Sequence, residues 1–345
     1  MYCNKNFLLS LPFILMLLVS AGIVGWLIGK DGDEIEISSP VEIFKPRTLD
    51  KYSFDNLIEY GFMPGEISLT ETLDESDEYS SHMISFTHDP DLSGTNDMIT
   101  TGLLNVPNKE GEFPIVLMLR GYVDQSIYQT GMGTSKAGET FAENGFITIA
   151  PDFLGYAESD ENSADILESR FQTYVTALQL LKSLDQIDEW DKENVYIWGH
   201  SNGGQIALTI LEISRENYPT TLWAPVSKPF PYSVLYYTDE SDDGGKLLRS
   251  VIAEFEEDYE ADNYSLTNYF DRINSPIQLH QGTADDAVPV SWSNQLNSIL
   301  DNNDVEIEYF TYPGADHNLR PSWNTVVERN IVFFNSNKAK LDGAL

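Results

Sequence analysis

The chain has one cysteine in 345 residues, and this Cys3 precedes a long apolar run near the N-terminus. The globular part therefore has no disulfide, no thiol nucleophile and no cysteine-ligated zinc. Basic residues are scarce as well: 20 Lys and Arg stand against 55 Asp and Glu, for a formal charge of -35. Such acidity repels a phosphate backbone and anionic lipid headgroups, so nucleic acid is excluded as a partner. Histidine is limited to five positions, which leaves few candidates for a base titrating near neutrality. What is plentiful is core material. Hydrophobic residues make up 41% and aromatic residues 12%, the composition of a globular chain with room for one large domain or two modest ones.

Residues 7–28, FLLSLPFILMLLVSAGIVGWLI, are almost wholly apolar and lie between Lys5 and Lys30. The run is long enough to cross a bilayer as a helix. Val19-Ser20-Ala21 resembles the small-residue site of a cleavable signal, but the apolar stretch continues to Ile28, which favours an uncleaved anchor. The positive start would stay in the cytoplasm and the rest would face outward; cleavage would instead give a secreted protein. Residues 1–30 are thus read as a single-pass membrane anchor or signal peptide. Residues 31–98 are read as an acidic linker and an N-terminal extension, packed on the main domain or partly disordered, and 99–345 as the main domain. The acidic run ETLDESDEYS at 71–80 reads as solvated surface rather than a metal site.

From Ile99 onward strand-like and helical patterns alternate. TTGLLNVP and FPIVLMLRGY read as strands, SKAGETFAENG as a helix, and FITIAPDFLGYAESD as a strand entering a loop. A helix is predicted over about 165–184, with Val175, Leu178, Leu181 and Leu184 on one face. NVYIWGHSNGG, PIQLHQGTADDAVP and VEIEYFTYPGADHNL each read as a strand ending in a loop, and SWNTVVERNIVFFNSN as the last helix. Continuous apolar strands separated by helices imply an α/β fold with a mostly parallel sheet covered on both faces. The aromatic and acidic segment 226–270 breaks the alternation. It is predicted to be a lid insertion over the C-terminal ends of the strands.

IWGHSNGG at 197–204 lies between the strand-like NVYI and the helical QIALTILEI. Gly199-His200-Ser201-Asn202-Gly203 is therefore a G-x-S-x-G pattern in its proper context of strand, tight turn and helix. A hydroxyl at the apex of that turn stands above the sheet, beside the positive end of the helix. The same residues also fit an ordinary glycine-rich turn whose serine merely caps the helix, so partners elsewhere must decide. A serine nucleophile needs a base oriented by a carboxylate, and such groups gather in loops beyond the carboxyl ends of strands. His82 and His88 fall in the extension, the His200 side chain diverges from its neighbour's, and His280 reads as a packed core residue. His317, in YPGADHNL, is the one well-placed base. GTADDAVP offers Asp285, with Asp286 the near alternative; Asp316, beside His317, cannot easily turn back to the ring. The order Ser201, Asp285, His317 is the one used on the α/β-hydrolase fold. For the oxyanion hole the pattern nominates the N–H groups of Asn202 and of Tyr122, in the loop Arg120-Gly121-Tyr122.

The set GHSNGG, HQGTADDAVP and YPGADHNL, preceded by PDFLGYAESD, resembles the catalytic domain of the prolyl oligopeptidase family of serine peptidases. The resemblance spans roughly residues 100–336, and α/β-hydrolase esterases share much of it. It implies Ser201 as nucleophile, Asp285 as acid, His317 as base, Tyr122 and Asn202 as oxyanion donors, and no metal or organic cofactor. The implied substrate is a small peptide or ester. Peptide or aminoacyl bonds are the family-based expectation and carboxylic esters the alternative. A non-catalytic binding module is a further reading, against which the complete triad counts, and acyl transfer to an acceptor other than water stays open. The family commonly has His-Gly where this chain has Arg120-Gly121. Arg120 is expected to pack through its stem while pairing with a surface acid, the alternative being attraction of an anionic substrate group. Fewer than a hundred residues separate the apolar run from the hydrolase domain, too few for the β-propeller of larger members. Peptide selectivity would then fall to the 226–270 insertion. The sequence leaves the oligomeric state open.

Overall fold

Nine strands form one sheet in the computed structural model, which describes residues 46–338. They are β1 (Glu66–Glu75), β2 (Tyr79–His88), β3 (Met98–Pro107), β4 (Phe113–Leu119), β5 (Ile147–Pro151), β6 (Trp190–His200), β7 (Thr220–Trp223), β8 (Ile277–Gly282) and β9 (Ile307–Tyr312). Their spatial order is β1-β2-β3-β5-β4-β6-β7-β8-β9. All pairings from β5 through β4 to β9 are parallel, while β1, β2 and β3 join antiparallel to one another and to β5. The helices are α1 (Phe54–Glu59), α2 (Ser135–Glu143), α3 (Ile166–Ser183), α4 (Asn202–Ser214), α5 (Tyr232–Leu235), α6 (Lys246–Asp258), α7 (Val290–Asn302) and α8 (Trp323–Ser336).

Successive side chains of a strand point to opposite faces, and here both sets are buried. In β4, Ile115, Leu117 and Leu119 join one core while Val116 and Met118 join the other. In β6, Ile197 goes one way and Tyr196 and Trp198 the other. This two-sided burial is why the central strands read as unbroken apolar runs rather than as alternations. The first face is covered by α3, α4 and α7 through Leu167, Phe171, Leu178, Ile206, Ile210 and Leu300. The second is covered by α2 and α8 through Phe141, Val326, Val327 and Phe334, with the Phe334 ring stacked 4.7 Å from that of Tyr196. Each such side chain stabilises the fold by about 1.5–3 kcal/mol.

The N-terminal extension is woven into this sheet: β1 and β2 pair onto β3, and Leu49, Tyr52, Phe54 and Leu57 enter the first core. β1 is exposed along nearly its whole length. Its acidic side chains discourage pairing of this free edge with another chain. The insertion at 226–270 contains α5, α6 and short 3-10 turns. It is anchored by Phe230 and Tyr264, whose rings lie 5.9 Å and 5.2 Å from that of Phe171 on α3. The Tyr264 hydroxyl donates to the Leu49 carbonyl at 3.2 Å, and the Leu49 N–H donates to the Tyr259 hydroxyl at 3.1 Å. The apolar run at 7–28, read above as a membrane anchor, lies outside the described residues. Among the described residues no helix is long and apolar enough to cross a membrane.

One core residue sets a pH dependence of stability. Glu212 on α4 is fully buried and neither carboxylate oxygen has a hydrogen-bond partner among the described residues. Burial pushes its pKa well above the ordinary 4.5, nearby Asp271 pushes the same way, and Arg272 opposes them. The folded chain thus holds a proton that the unfolded chain releases, so this site costs stability increasingly as pH rises above 4.5. Glu212→Met is expected to stabilise the protein by about 1–3 kcal/mol at pH 8, the scale of an unsatisfied buried polar group. The gain should be smaller at pH 5, with thermal unfolding at the two pH values as the check.

Candidate active site

Ser201 closes β6 and opens α4 with φ 56° and ψ -119°, a sparsely populated conformation that persists only when its surroundings enforce it. They do so by hydrogen bonds. The Ser201 N–H donates to the Trp223 carbonyl at 2.9 Å, and the Ser201 carbonyl accepts from Gly204 N and Val226 N at 3.0 Å each. The serine side chain makes no capping bond to the helix, so the capping reading of this turn does not hold. The glycines matter for close approach. A Cβ on Gly199 would lie 2.8 Å from the Gly203 carbonyl oxygen, and one on Gly203 would overlap the Leu119 carbonyl and lie 2.6 Å from that of Arg120. Gly203→Ala must therefore push α4 away from the end of β4. We expect it to lower Tm by at least several degrees in thermal unfolding and to abolish activity in whatever folds.

The carboxylate and imidazole meet across two loops. His317 Nδ1 donates to Asp285, with Oδ2 at 2.9 Å and Oδ1 at 3.1 Å. Asp285 Oδ1 also accepts from Ala287 N at 2.9 Å and Val288 N at 2.8 Å, and Oδ2 accepts from Gln281 Nε2 at 2.8 Å. Burial alone would push this carboxyl up. The bonds from His317, Val288 and Gln281 outweigh it and hold the group below the usual aspartate range. Asp286 is exposed, whereas Asp316 turns away from the ring to accept from Asn318 N and Arg320 N at 3.0 and 2.8 Å. With Nδ1 engaged, Nε2 is the nitrogen of His317 left for a serine hydroxyl.

His200 plays a part that spacing in the sequence did not reveal. Its Nε2 lies 3.0 Å from the His317 carbonyl, and the two rings are 4.6 Å apart. The residue before the serine thus carries the His317 loop. Burial, helped by the neighbouring His317, lowers the His200 pKa to about 4, so at neutral pH it is an uncharged brace. His280, by contrast, is a core residue bonded to Tyr312 at 2.8 Å and Gln278 at 2.9 Å.

The loop after β4 passes close to the serine. A Cβ on Gly121 would stand 3.0 Å from Ser201 Cβ, so glycine is what lets this loop pass Ser201. Asn202 is the first residue of α4, where helical N–H groups lack intrahelical acceptors. Tyr122 follows Gly121 with its side chain 78% exposed. Arg120 corrects an expectation: it is buried and, among the described residues, pairs with no surface acid. It donates to the carbonyls of Gly121 at 3.0 Å and Asp152 at 2.8 Å, and its guanidinium lies 3.9 Å from the Tyr156 ring centroid and 4.5 Å from that of Tyr128. Its cation packs the loop after β4 in place. A cavity of about 280 Å³ opens beside this loop, lined by Arg120, Tyr122, Tyr156, Arg170, Gln172 and Asn202 among others, and by no residue of the 226–270 insertion. Its walls are the loops after β4 and β5 and helices α3 and α4. Among the described residues no cluster of three or more His, Cys, Asp or Glu could hold a metal ion.

A mostly parallel sheet covered on both faces, with a strained serine turn after its central strand, defines the chain as an α/β-hydrolase. It belongs to the prolyl oligopeptidase family of serine hydrolases, whose family model matches residues 133–340. The acetyl esterase Axe7A of Xylanibacter ruminicola is 23% identical in an alignment 295 residues long that covers 77% of this chain and 64% of that protein. A relative from Schizosaccharomyces pombe is 26% identical over 213 residues, and the matched region covers only 24% of it. Among solved structures, acetyl xylan esterase 1 from Thermoanaerobacterium sp. JW/SL YS485 superposes with a TM-score of 0.60 at 16% identity, covering 84% of this chain and 94% of that one. A puromycin-hydrolyzing peptidase of Mycobacterium tuberculosis gives 0.54 at 16% identity, covering 75% and 46%. These structural likenesses establish the fold.

Proposed function

We propose that this chain hydrolyses acyl compounds through an acyl-enzyme. Ser201 attacks the carbonyl, His317 takes its proton through Nε2 and passes it to the leaving group, and Asp285 holds the imidazole and stabilises its charged form. The N–H groups of Asn202 and Tyr122 receive the developing oxyanion. Water then attacks the acyl-enzyme, with His317 again as base. The observation that carries this reading is the Asp285–His317 bond on a loop braced by His200, the neighbour of a serine held in strained geometry.

Family membership supports peptide or aminoacyl bonds as the substrate. Carboxylic esters are the second reading, favoured by the acetyl esterase relative that aligns with 77% of this chain. The apolar run at 7–28 supports a single-pass anchor with the enzyme outside the cytoplasm. Fluorophosphonate labelling tests the nucleophile: Ser201 should be modified in folded protein and protected by prior denaturation. A panel of aminoacyl amides and short-chain esters then separates the two substrate classes, and turnover of esters alone would remove the peptidase reading.

A further inference from the structure

The cavity beside Asn202 has a charge pattern opposite to that of the chain. Its lining includes two arginines and no Asp or Glu, in a protein with 55 acidic and 20 basic residues. The two arginines differ in what they have left to give. Arg120 is stacked between tyrosines and spends its terminal nitrogens on two carbonyls. Arg170 makes no ion pair among the described residues. It donates to the Gln205 side-chain carbonyl, and Gln205 Nε2 in turn donates to the Tyr174 hydroxyl at 3.2 Å. The Nε atoms of both arginines are buried without hydrogen-bond partners among the described residues, and Arg120 is only 5% exposed. Uncompensated buried polar groups are costly, and an entering carboxylate offsets that cost by charge-assisted bonds to a guanidinium.

The cavity also has a direction relative to the chemistry. His317 delivers its proton to the leaving group, so the leaving group departs on the His317 side. Ser201, His200 and His317 do not line this cavity, whereas Tyr122 and Asn202 do, so it lies beside the proposed oxyanion donors and away from His317, the side left for the acyl group. At about 280 Å³ it falls just below the range of sites for drug-sized ligands, which suits a short acyl chain.

We propose that this cavity binds a short acyl group ending in a carboxylate, recognised by Arg170. The proposal rests on Ser201 being the nucleophile. The overall charge of -35 does not oppose it, because charges farther away than about 8 Å are largely screened at physiological ionic strength. Within that radius Arg170 lines the cavity directly and no carboxylate does, the buried Asp152 carboxylate behind Arg120 being engaged by Thr101, Tyr128 and Thr130.

The test compares kcat/KM for monoethyl glutarate with that for ethyl hexanoate, an uncharged ester of similar length, by pH-stat on the full chain. Glutarate should be favoured at least tenfold, chiefly through KM, and the preference should collapse in Arg170→Gln and partly return in Arg170→Lys. Free glutarate should also slow fluorophosphonate labelling of Ser201 in the wild-type protein. A chain that labels at Ser201 but shows neither preference nor protection overturns this proposal and leaves the nucleophile standing. A preference unchanged in Arg170→Gln removes Arg170 as the recognising group. Folded protein that never labels overturns the reading beneath both.

Discussion

Ser201→Ala is expected to lower kcat by about 10⁴–10⁶-fold, the range seen when a triad serine is removed, while leaving the folded state nearly unchanged. That rate loss corresponds to about 5–8 kcal/mol of barrier at 1.36 kcal/mol per tenfold. Stability should hardly move, because the side chain makes no capping bond and the backbone bonds from Ser201 to Trp223, Gly204 and Val226 do not involve it. Alanine meets the same penalty at φ 56° as serine does, since both carry a Cβ. The two readouts together isolate chemistry from folding. Rate measurements under saturating substrate, alongside thermal unfolding, check both. Activity retained within tenfold of wild type would mean that the strained turn serves something other than nucleophilic attack.

The parts of this site that could be read in the sequence are those whose chemistry is local. The strand, turn and helix around Ser201 announce themselves because a buried strand and a helix with apolar residues at helical spacing flank three glycines within a few residues. Asp285 and His317 stand out because each follows a strand at the functional edge of a parallel sheet. Other features left no such trace. β7 is only four residues, Thr220–Trp223, and two of them are threonine, so it carries no apolar run. β1 has almost no buried side chains, hence no alternation to detect, and it forms only because β2 pairs with it. His200 gained its role from a loop 117 residues away in sequence. Arg120 was misread for a related reason. Nothing in its neighbours predicts that Tyr128 and Tyr156 would enclose the guanidinium, which lets it stay buried without an acid partner.

Asp285→Asn should lower kcat by about 10⁴-fold, and the geometry says why the loss is so large for so small a change. The Ala287 and Val288 N–H groups both donate to Oδ1, so the asparagine carbonyl oxygen is fixed in that position. Its NH₂ must then take the place of Oδ2, where it faces His317 Nδ1 and the Gln281 amide donor. A donor at the nearer position, 2.9 Å from Nδ1, favours Nδ1 as acceptor and leaves an Nδ1–H only the longer 3.1 Å contact to Oδ1, which shifts the ring proton toward Nε2. An imidazole protonated at Nε2 cannot take the serine proton, and this wrong tautomer is the established origin of a 10⁴-fold loss in a serine protease triad. Asp286→Asn changes an exposed side chain and is expected to stay within about twofold of wild type. KM should be similar in both variants, because neither carboxylate belongs to the cavity lining beside Asn202. Steady-state kinetics on the pair therefore assign the acid, and a large loss in Asp286→Asn with a small one in Asp285→Asn would reverse the assignment.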